Sequence, residues 1–96
     1  MAKLTIVAKT VAKTDSVESV KSEMLKLIAP TREEEGCIEY FLHQDNEDPT
    51  ILIFYETWEN YACFERHMST QHFKNYVNTV GSMIKEKVVY KMTRVG

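Results

Sequence analysis

Four side chains that could do chemistry lie within residues 51–73, a stretch that is otherwise mostly apolar. Glu56 and Trp58 are two residues apart, so on a strand both side chains point to the same face. A carboxylate among apolar neighbours is costly unless it is paired, and burial can raise its pKa into the range of a general base. His67 and His72 follow, and an imidazole that titrates near neutrality could orient or deprotonate a substrate hydroxyl. The four residues predict an acid–base site.

Structural roles for the same side chains remain open. Trp58 could anchor the core, or donate its indole N–H at the mouth of an apolar pocket. Glu56 could form an ion pair with Arg66 instead of acting as a base. His67 and His72 would lie on different faces of one continuous helix, but a helix break at the intervening Met-Ser-Thr could bring them together. Either histidine could also simply cap a helix end.

The sequence offers little for metal or cofactor binding. His43 is the only further histidine, and a metal site usually needs three or four ligands in suitable geometry. Cys37 and Cys63 are far apart and form no CxxC motif, so we expect free thiols. With three glycines, the chain has no glycine-rich phosphate loop and no dinucleotide fingerprint. We therefore expect no metal and no cofactor.

Composition places the chain among ordinary globular proteins. Its 96 residues, 44% hydrophobic and 27% charged, predict one domain over 1–96. The net charge of -2 is mixed along the chain, and Lys85, Lys87 and Lys91 are interpreted as the solvated start of a strand, so nucleic-acid binding is not expected. The sequence lacks the apolar region of a signal peptide and any run of membrane-spanning length, which predicts a cytoplasmic protein without a membrane partner.

Hydrophobic patterns predict the first half of the chain as strand, helix, strand. Residues 4–12 are rich in β-branched side chains and predict a strand. Asp15 and Glu18 resemble a capping box, and apolar residues then recur at helical intervals. Pro30 is expected to kink or break this helix, with a further turn over 31–35 that Gly36 ends. Residues 37–44 predict the second strand.

The second half is predicted as strand, two helices, strand. A polar turn at 45–49 makes a hairpin with a third strand at 50–58. Asn60 is a plausible cap for a short helix, and Ser69 or Thr70 for another that is expected to run through Ile84. Alternating residues at 87–95 predict the fourth strand.

This order predicts an α+β fold of the ferredoxin-like, split βαβ type, a four-stranded antiparallel sheet with helices on one face. Both faces of the third strand are largely apolar, with Glu56 and Trp58 on the side of Leu52 and Phe54. No chain remains to cover the second face, and large exposed apolar patches are uncommon on monomers. We therefore predict a homodimer through the open sheet face, the two sheets forming a shared barrel.

The central sequence resembles the antibiotic biosynthesis monooxygenase domain, in its branch of small quinol monooxygenases. The resemblance spans most of the chain and rests on a set of residues at fairly specific spacing. The matching positions are Glu35-Gly36-Cys37, Tyr40, the Asp-Pro hairpin, Glu56-x-Trp58, Phe64, His67, Ser69 and His72-Phe73.

The resemblance implies a dimeric α+β barrel with a pocket between sheet and helices in each subunit. It also implies oxidation of a small quinol or polyphenolic aromatic by molecular oxygen without metal, flavin or nicotinamide, because an electron-rich phenolate can itself pass an electron to oxygen. Trp58 would then donate to a substrate oxygen, with Glu56 and His67 or His72 as acid–base or orienting groups. Substrate contacts are expected from Tyr40, Phe54 and Phe64.

Other functions of the same fold family remain alternatives. Haem-degrading relatives use an asparagine on the first strand and a histidine on the last helix; this first strand has no asparagine, and the helix position carries Val77, so haem degradation is disfavoured. A branch that isomerises a phosphorylated sugar would need basic groups that we cannot place. A non-catalytic dimeric module that binds a small ligand or a protein is also open, since fold does not fix function.

Overall fold

The structure is a computed structural model that describes residues 3–96. The strands are β1 (Leu4–Ala12), β2 (Cys37–Gln44), β3 (Ile51–Trp58) and β4 (Ile84–Met92). The helices are α1 (Val17–Arg32), α2 (Tyr61–Met68) and α3 (Gln71–Val80), and a 3-10 turn, Gly81–Met83, joins α3 to β4. The strands form one antiparallel sheet in the order β2-β3-β1-β4. This arrangement confirms the predicted ferredoxin-like α+β fold.

The core lies between the helices and one face of the sheet. Alternate residues of the two central strands are buried on that face, among them Leu4, Ile6, Leu52 and Phe54. From the helices, one face of α1 contributes buried residues four and three positions apart, as its apolar spacing predicts: Val20, Met24 and Leu27. Glu56 lies opposite Ile6 in the register of β3 and β1, so the one acidic residue of this face is set in the middle of the core.

The start and end of α1 differ from the sequence prediction. Ser16, not Asp15, is the N-cap residue, and no side chain caps the first turn; the predicted capping box is wrong. Pro30 lies inside the helix, which continues to Arg32 and is followed by turns rather than by further helix to residue 35. A proline in the last turn costs little, because it displaces only one hydrogen bond where the helix is about to end.

Gly36 fixes the turn between α1 and β2. Its φ is +84°, a left-handed conformation that favours glycine. A Cβ at this position would overlap the side chain of Cys63 on α2. The backbone N–H of Glu59 also donates to the carbonyl of Gly36 at 2.9 Å. The turn is therefore held directly against the start of α2.

The boundary between α3 and β4 was also predicted wrongly. Ile84 continues the helical spacing of Val80, but it is the first residue of β4, after the 3-10 turn. The strand runs over Ile84–Met92 rather than over residues 87–95. The predicted caps of the two short helices are confirmed: Asn60 accepts from the backbone N–H of Cys63 at 3.0 Å, and Thr70 accepts from that of Phe73 at 3.3 Å.

The second sheet face carries large apolar side chains that no described residue covers. Val7 of β1 lies between Tyr55 of β3 and Tyr90 of β4, and Phe41 of β2 lies beyond Tyr55. The side chains of Phe41, Tyr55 and Tyr90 are 44%, 38% and 52% exposed. We call this row, together with Val7, the open-face row.

Two further features bear on the chemistry and the location of the protein. Cys37 and Cys63 are both free thiols, as expected. Among residues 3–96, no helix is long and apolar enough to cross a membrane.

Candidate active site

A cavity of about 50 Å³ lies between the helices and the centre of the sheet. This is larger than the ~10–15 Å³ that a single water molecule requires. Most of its lining is apolar or aromatic, including the predicted substrate-binding residues Tyr40, Phe54 and Phe64. Glu56 and His67 are the only predicted acid–base residues that line it. Among the described residues, Glu56 and His67 are therefore the acid–base pair that faces this mostly apolar cavity.

Glu56 is held by the indole of Trp58. Trp58 Nε1 donates a hydrogen bond to Glu56 Oε1 at 2.9 Å. The two side chains can meet because residues two positions apart on a strand point to the same face. The pKa of Glu56 is raised from 4.5 to about 7, mainly by burial and also by the negative charge of Glu34, while the Trp58 hydrogen bond and Lys87 act in the opposite direction. Glu56 is therefore close to half-ionised at neutral pH.

Two expected contacts of this pair are not found. The predicted ion pair between Glu56 and Arg66 is wrong: Arg66 lies on the outer side of α2 and bonds to Glu35 at 3.1 Å. Trp58 is fully buried and does not line the cavity. Its N–H is occupied by Glu56, so the indole is not available to a substrate oxygen in this structure, and it acts on the cavity through Glu56.

The two histidines meet at one carboxylate oxygen. Oε2 of Glu34 is 2.8 Å from His67 Nδ1 and 2.7 Å from His72 Nε2. Glu34 belongs to the turn that Gly36 fixes against α2, while the break between α2 and α3 turns His72 back toward His67. The prediction that the helix break brings the histidines together is borne out by this geometry. Their meeting point, Glu34, was not predicted.

His67 is enclosed by aromatic rings. Its ring centroid lies 5.0 Å from that of Trp58, 4.9 Å from that of Phe73 and 5.6 Å from that of Tyr40. Burial lowers the pKa of His67, against the opposing effect of the hydrogen bond and charge of Glu34. The imidazole is therefore neutral at physiological pH.

The bond to Glu34 fixes the tautomer of this neutral ring. A carboxylate only accepts hydrogen bonds, so His67 must carry its proton on Nδ1, an assignment that follows from the hydrogen-bond network. Its Nε2 is then an acceptor, and it has no hydrogen-bond partner among residues 3–96. The lone pair of a neutral, oriented imidazole is thus available to a hydroxyl group in the cavity.

The cavity reaches solvent on the side of β4. Lys87, Val89 and Met68 line it and are exposed, whereas the residues at its inner end are buried. Lys87 Nζ lies 5.7 Å from the centroid of Phe73, another lining residue. Lys87 was interpreted from the sequence as a solvated strand residue. It is indeed an exposed residue of β4, and it also lines the cavity and places a positive charge at its mouth.

Sequence reasoning missed Glu34 because nothing distinguishes it from its neighbours. It is the middle one of three consecutive glutamates, of which Glu33 and Glu35 are exposed. The usable signal was Gly36, since a glycine that ends a helix at positive φ implies a fixed turn. His72, by contrast, was predicted, but it does not line the cavity. It is half-buried behind His67 and reaches solvent.

Glu34, His67 and His72 are also the group of side chains that could hold a metal ion. One ligand atom from each lies within 4.8 Å of the other two.

Comparisons with known proteins agree with the fold and identify the family of this chain. The family described as antibiotic biosynthesis monooxygenase matches residues 4–79, which include every residue of the cavity except those on β4. The uncharacterised protein sll1783 of Synechocystis is 26% identical over 83 residues, which are 86% of this chain and 56% of that protein. This chain therefore spans only about half of that relative.

Solved structures resemble the whole fold. The crystal structure of PA3566 from Pseudomonas aeruginosa is 30% identical and superposes with a TM-score of 0.95, covering 100% of this chain and 97% of that chain. A protein solved from Shewanella oneidensis, SO0527, is 24% identical with a TM-score of 0.92, covering 97% of this chain and 91% of that one. The second likeness supports the fold alone.

Proposed function

We propose that this chain, which belongs to the antibiotic biosynthesis monooxygenase family, oxidises a small quinol or polyphenolic aromatic with molecular oxygen and without a cofactor. The observation that carries the proposal is that Glu56 and His67 both line a cavity whose other walls are mostly aromatic and aliphatic. An aromatic diol needs this combination, because its ring packs against apolar groups while its hydroxyls require acceptors.

The overall reaction balances without an external reductant. One molecule of quinol and one of oxygen give one molecule of hydroxyquinone and one of water. One oxygen atom enters the ring, the other leaves as water with two hydrogens from the quinol, and the substrate supplies all four electrons. The protein therefore has to deprotonate the quinol, orient it and keep bulk water from the reacting ring.

The two polar groups divide the proton transfers. His67 Nε2 accepts the proton of one hydroxyl, and the resulting imidazolium is stabilised by Glu34 on the opposite side of the ring. Glu56, with its pKa near 7, can receive a proton at one stage and return it at another, as required when water leaves. The phenolate that forms is electron-rich enough to transfer an electron to O2. Lys87 at the mouth favours the anionic form of the substrate.

The geometry also supports the expected aromatic contacts. Tyr40 stacks on Phe54 with ring centroids 4.5 Å apart and an interplanar angle of 25°. Together with Phe64 these rings present flat apolar surfaces to the cavity. Burial raises the pKa of Tyr40 well above its ordinary value, so this phenol stays protonated and does not compete with the substrate as the electron donor.

The functional unit we propose is a homodimer that pairs the open faces of two sheets. The open-face row sets three aromatic side chains and one valine side by side across four strands, and such a surface is stabilised by burial against a second copy. Two copies related by a twofold axis would leave both cavities on the outer, helix-covered sides.

Oxygen consumption by purified, chelator-treated protein tests the activity. A panel of small quinols and polyphenols is incubated with the protein in an oxygen electrode cell, and ¹⁸O₂ identifies products that gain one labelled oxygen atom. Glu56→Gln and His67→Phe should each lower the rate by about 10²-fold or more, since a positioned acid or base contributes about 10²–10⁴-fold. Glu47→Gln is the matched control, because Glu47 is exposed in the hairpin between β2 and β3 and does not line the cavity.

Two outcomes would contradict the proposal. Formation of hydrogen peroxide without labelled product would indicate simple autoxidation. Tight binding of a quinol with no oxygen uptake above the protein-free rate would favour the non-catalytic binding module.

A further inference from the structure

We infer that Glu34, His67 and His72 form a binding site for one divalent transition-metal ion. The inference is independent of the proposed oxygenase activity. Its basis is that three potential ligand atoms, from three different segments of the chain, lie within 4.8 Å of one another. Two imidazole nitrogens and one carboxylate oxygen make a donor set that suits ions of the series from Fe²⁺ to Zn²⁺ and does not suit Mg²⁺ or Ca²⁺.

The separations between the atoms are close to those of a coordination sphere. Two ligands bound at right angles to a metal at about 2.1 Å lie about 3.0 Å apart. The distances from Glu34 Oε2 to His67 Nδ1 and His72 Nε2 are 2.8 and 2.7 Å. Each ring therefore needs to withdraw by only a few tenths of an ångström. Both histidines bond to the same oxygen atom, Glu34 Oε2. A metal ion bound by all three groups would therefore replace only these two hydrogen bonds.

Access and rigidity also favour an ion. The side chain of His67 is 2% exposed and that of Glu34 is 12% exposed, so these two ligands are held in place by packing. The side chain of His72 is 29% exposed and lies in the first turn of α3, where it can move to complete the site. Solvent on the His72 side can supply the remaining ligands as water, as sites with three protein ligands commonly do.

Local charge favours a cation over an anion. Glu34 is flanked by Glu33 and Glu35, and only Glu35 is paired with a cation, Arg66, among the described residues. Two further carboxylates thus lie next to the ligand carboxylate in the sequence, so the local charge is acidic. A bound divalent ion would compensate this charge at the cost of displacing protons from His67 Nδ1 and His72 Nε2 to the other ring nitrogens.

Metal binding would change the cavity as well. If Nδ1 of His67 coordinates the ion, the ring proton must reside on Nε2. The nitrogen that faces the cavity then donates instead of accepting a hydrogen bond. This site and the acceptor role of His67 are mutually exclusive states of one imidazole.

Cobalt binding to untagged protein tests the inference. Wild-type protein and His43→Ala should bind one Co²⁺ per chain, with visible d–d absorption that Zn²⁺ abolishes and Mg²⁺ does not. His72→Ala and Glu34→Gln should each weaken Co²⁺ binding at least about tenfold, since even the loss of groups that only support a metal ligand costs about 10–100-fold. Circular dichroism verifies that each variant is folded.

Three results would overturn the inference. Absence of Co²⁺ absorption in the wild-type protein would mean that the three side chains are a hydrogen-bonded cluster only. Unchanged binding in both His72→Ala and Glu34→Gln would place the ion elsewhere. Equal loss in His43→Ala would show that the protein has no specific site. None of these results depends on whether quinols are oxidised.

Discussion

Replacing Glu56 with glutamine should stabilise the protein at alkaline pH while it abolishes the proposed activity. Glutamine has nearly the same shape and keeps an oxygen that can accept from Trp58 Nε1, but it cannot ionise. The side chain is 3% exposed, so at alkaline pH the wild-type protein must hold an ionised carboxylate inside the core. If Glu56 serves the proposed activity at a cost in stability, removing its charge should make the protein more stable and less active.

The magnitude follows from the pKa of Glu56. Its value in the folded protein is about 7, against an ordinary 4.5. Between these two pH values the folded state binds more protons than the unfolded state, so stability falls as pH rises. Above pH 7 the full cost is present and amounts to about 3 kcal/mol, whereas below pH 4.5 there is none. Burying an amide costs about 1 kcal/mol, so the net gain at pH 8 is about 2 kcal/mol.

Urea unfolding at pH 4 and pH 8 measures this difference. Glu56→Gln should be more stable than the wild-type protein at pH 8, and slightly less stable at pH 4. Glu47→Gln, in the exposed hairpin, is the control for loss of one surface charge. If the difference between Glu56→Gln and the wild-type protein is the same at both pH values, the raised pKa and the reasoning built on it are wrong.

Three further predictions concern other parts of the structure. Trp58→Phe removes the N–H that lowers the pKa of Glu56, so the acidic limb of the pH–rate profile should move to higher pH; an unshifted limb contradicts this. Gly36→Ala should cost about 2 kcal/mol or more in thermal unfolding, because φ is +84° and a Cβ has no room. Gly81→Ala, helical and open, should be neutral or stabilising by up to about 1 kcal/mol. Tyr90→Lys on the open face should yield monomers in analytical ultracentrifugation where the wild-type protein sediments as a dimer, and a wild-type monomer would contradict the proposed dimer.

The sheet could be predicted from sequence because alternation is a local signal. β1 and β2 begin and end where the pattern of apolar residues predicted. The end of α3 could not be predicted in this way, because Ile84 fits the helical spacing from Val80 and also fits the strand that follows. What decides the boundary is the pairing of Ile84 with Ala12 across the sheet, a contact between distant parts of the chain.

The site, too, could be predicted only where the signal is local in the sequence. Glu56 and Trp58 share a face by the two-residue period of a strand, and that much follows from sequence. The bond between them does not, and neither does the role of Glu34, which depends on how a loop is folded against α2. The place of Lys87 at the cavity was missed because an exposed residue of a strand can still line a cavity, and only the tertiary fold shows this. The cytoplasmic location and the single domain remain predictions.

Strand β1 separates the cavity on one face of the sheet from the open-face row on the other. Ile6 and Ala8 face the cavity, and Val7, between them, belongs to the open-face row. A shift of this backbone that accommodates a ligand must also displace Val7 toward or away from whatever lies against it. If the chain forms the proposed dimer through this face, ligand binding and self-association would be thermodynamically linked: a ligand that tightens association by some factor would itself be bound more tightly by the same factor in the dimer. The apparent affinity for a substrate should then depend on the concentration of the protein itself.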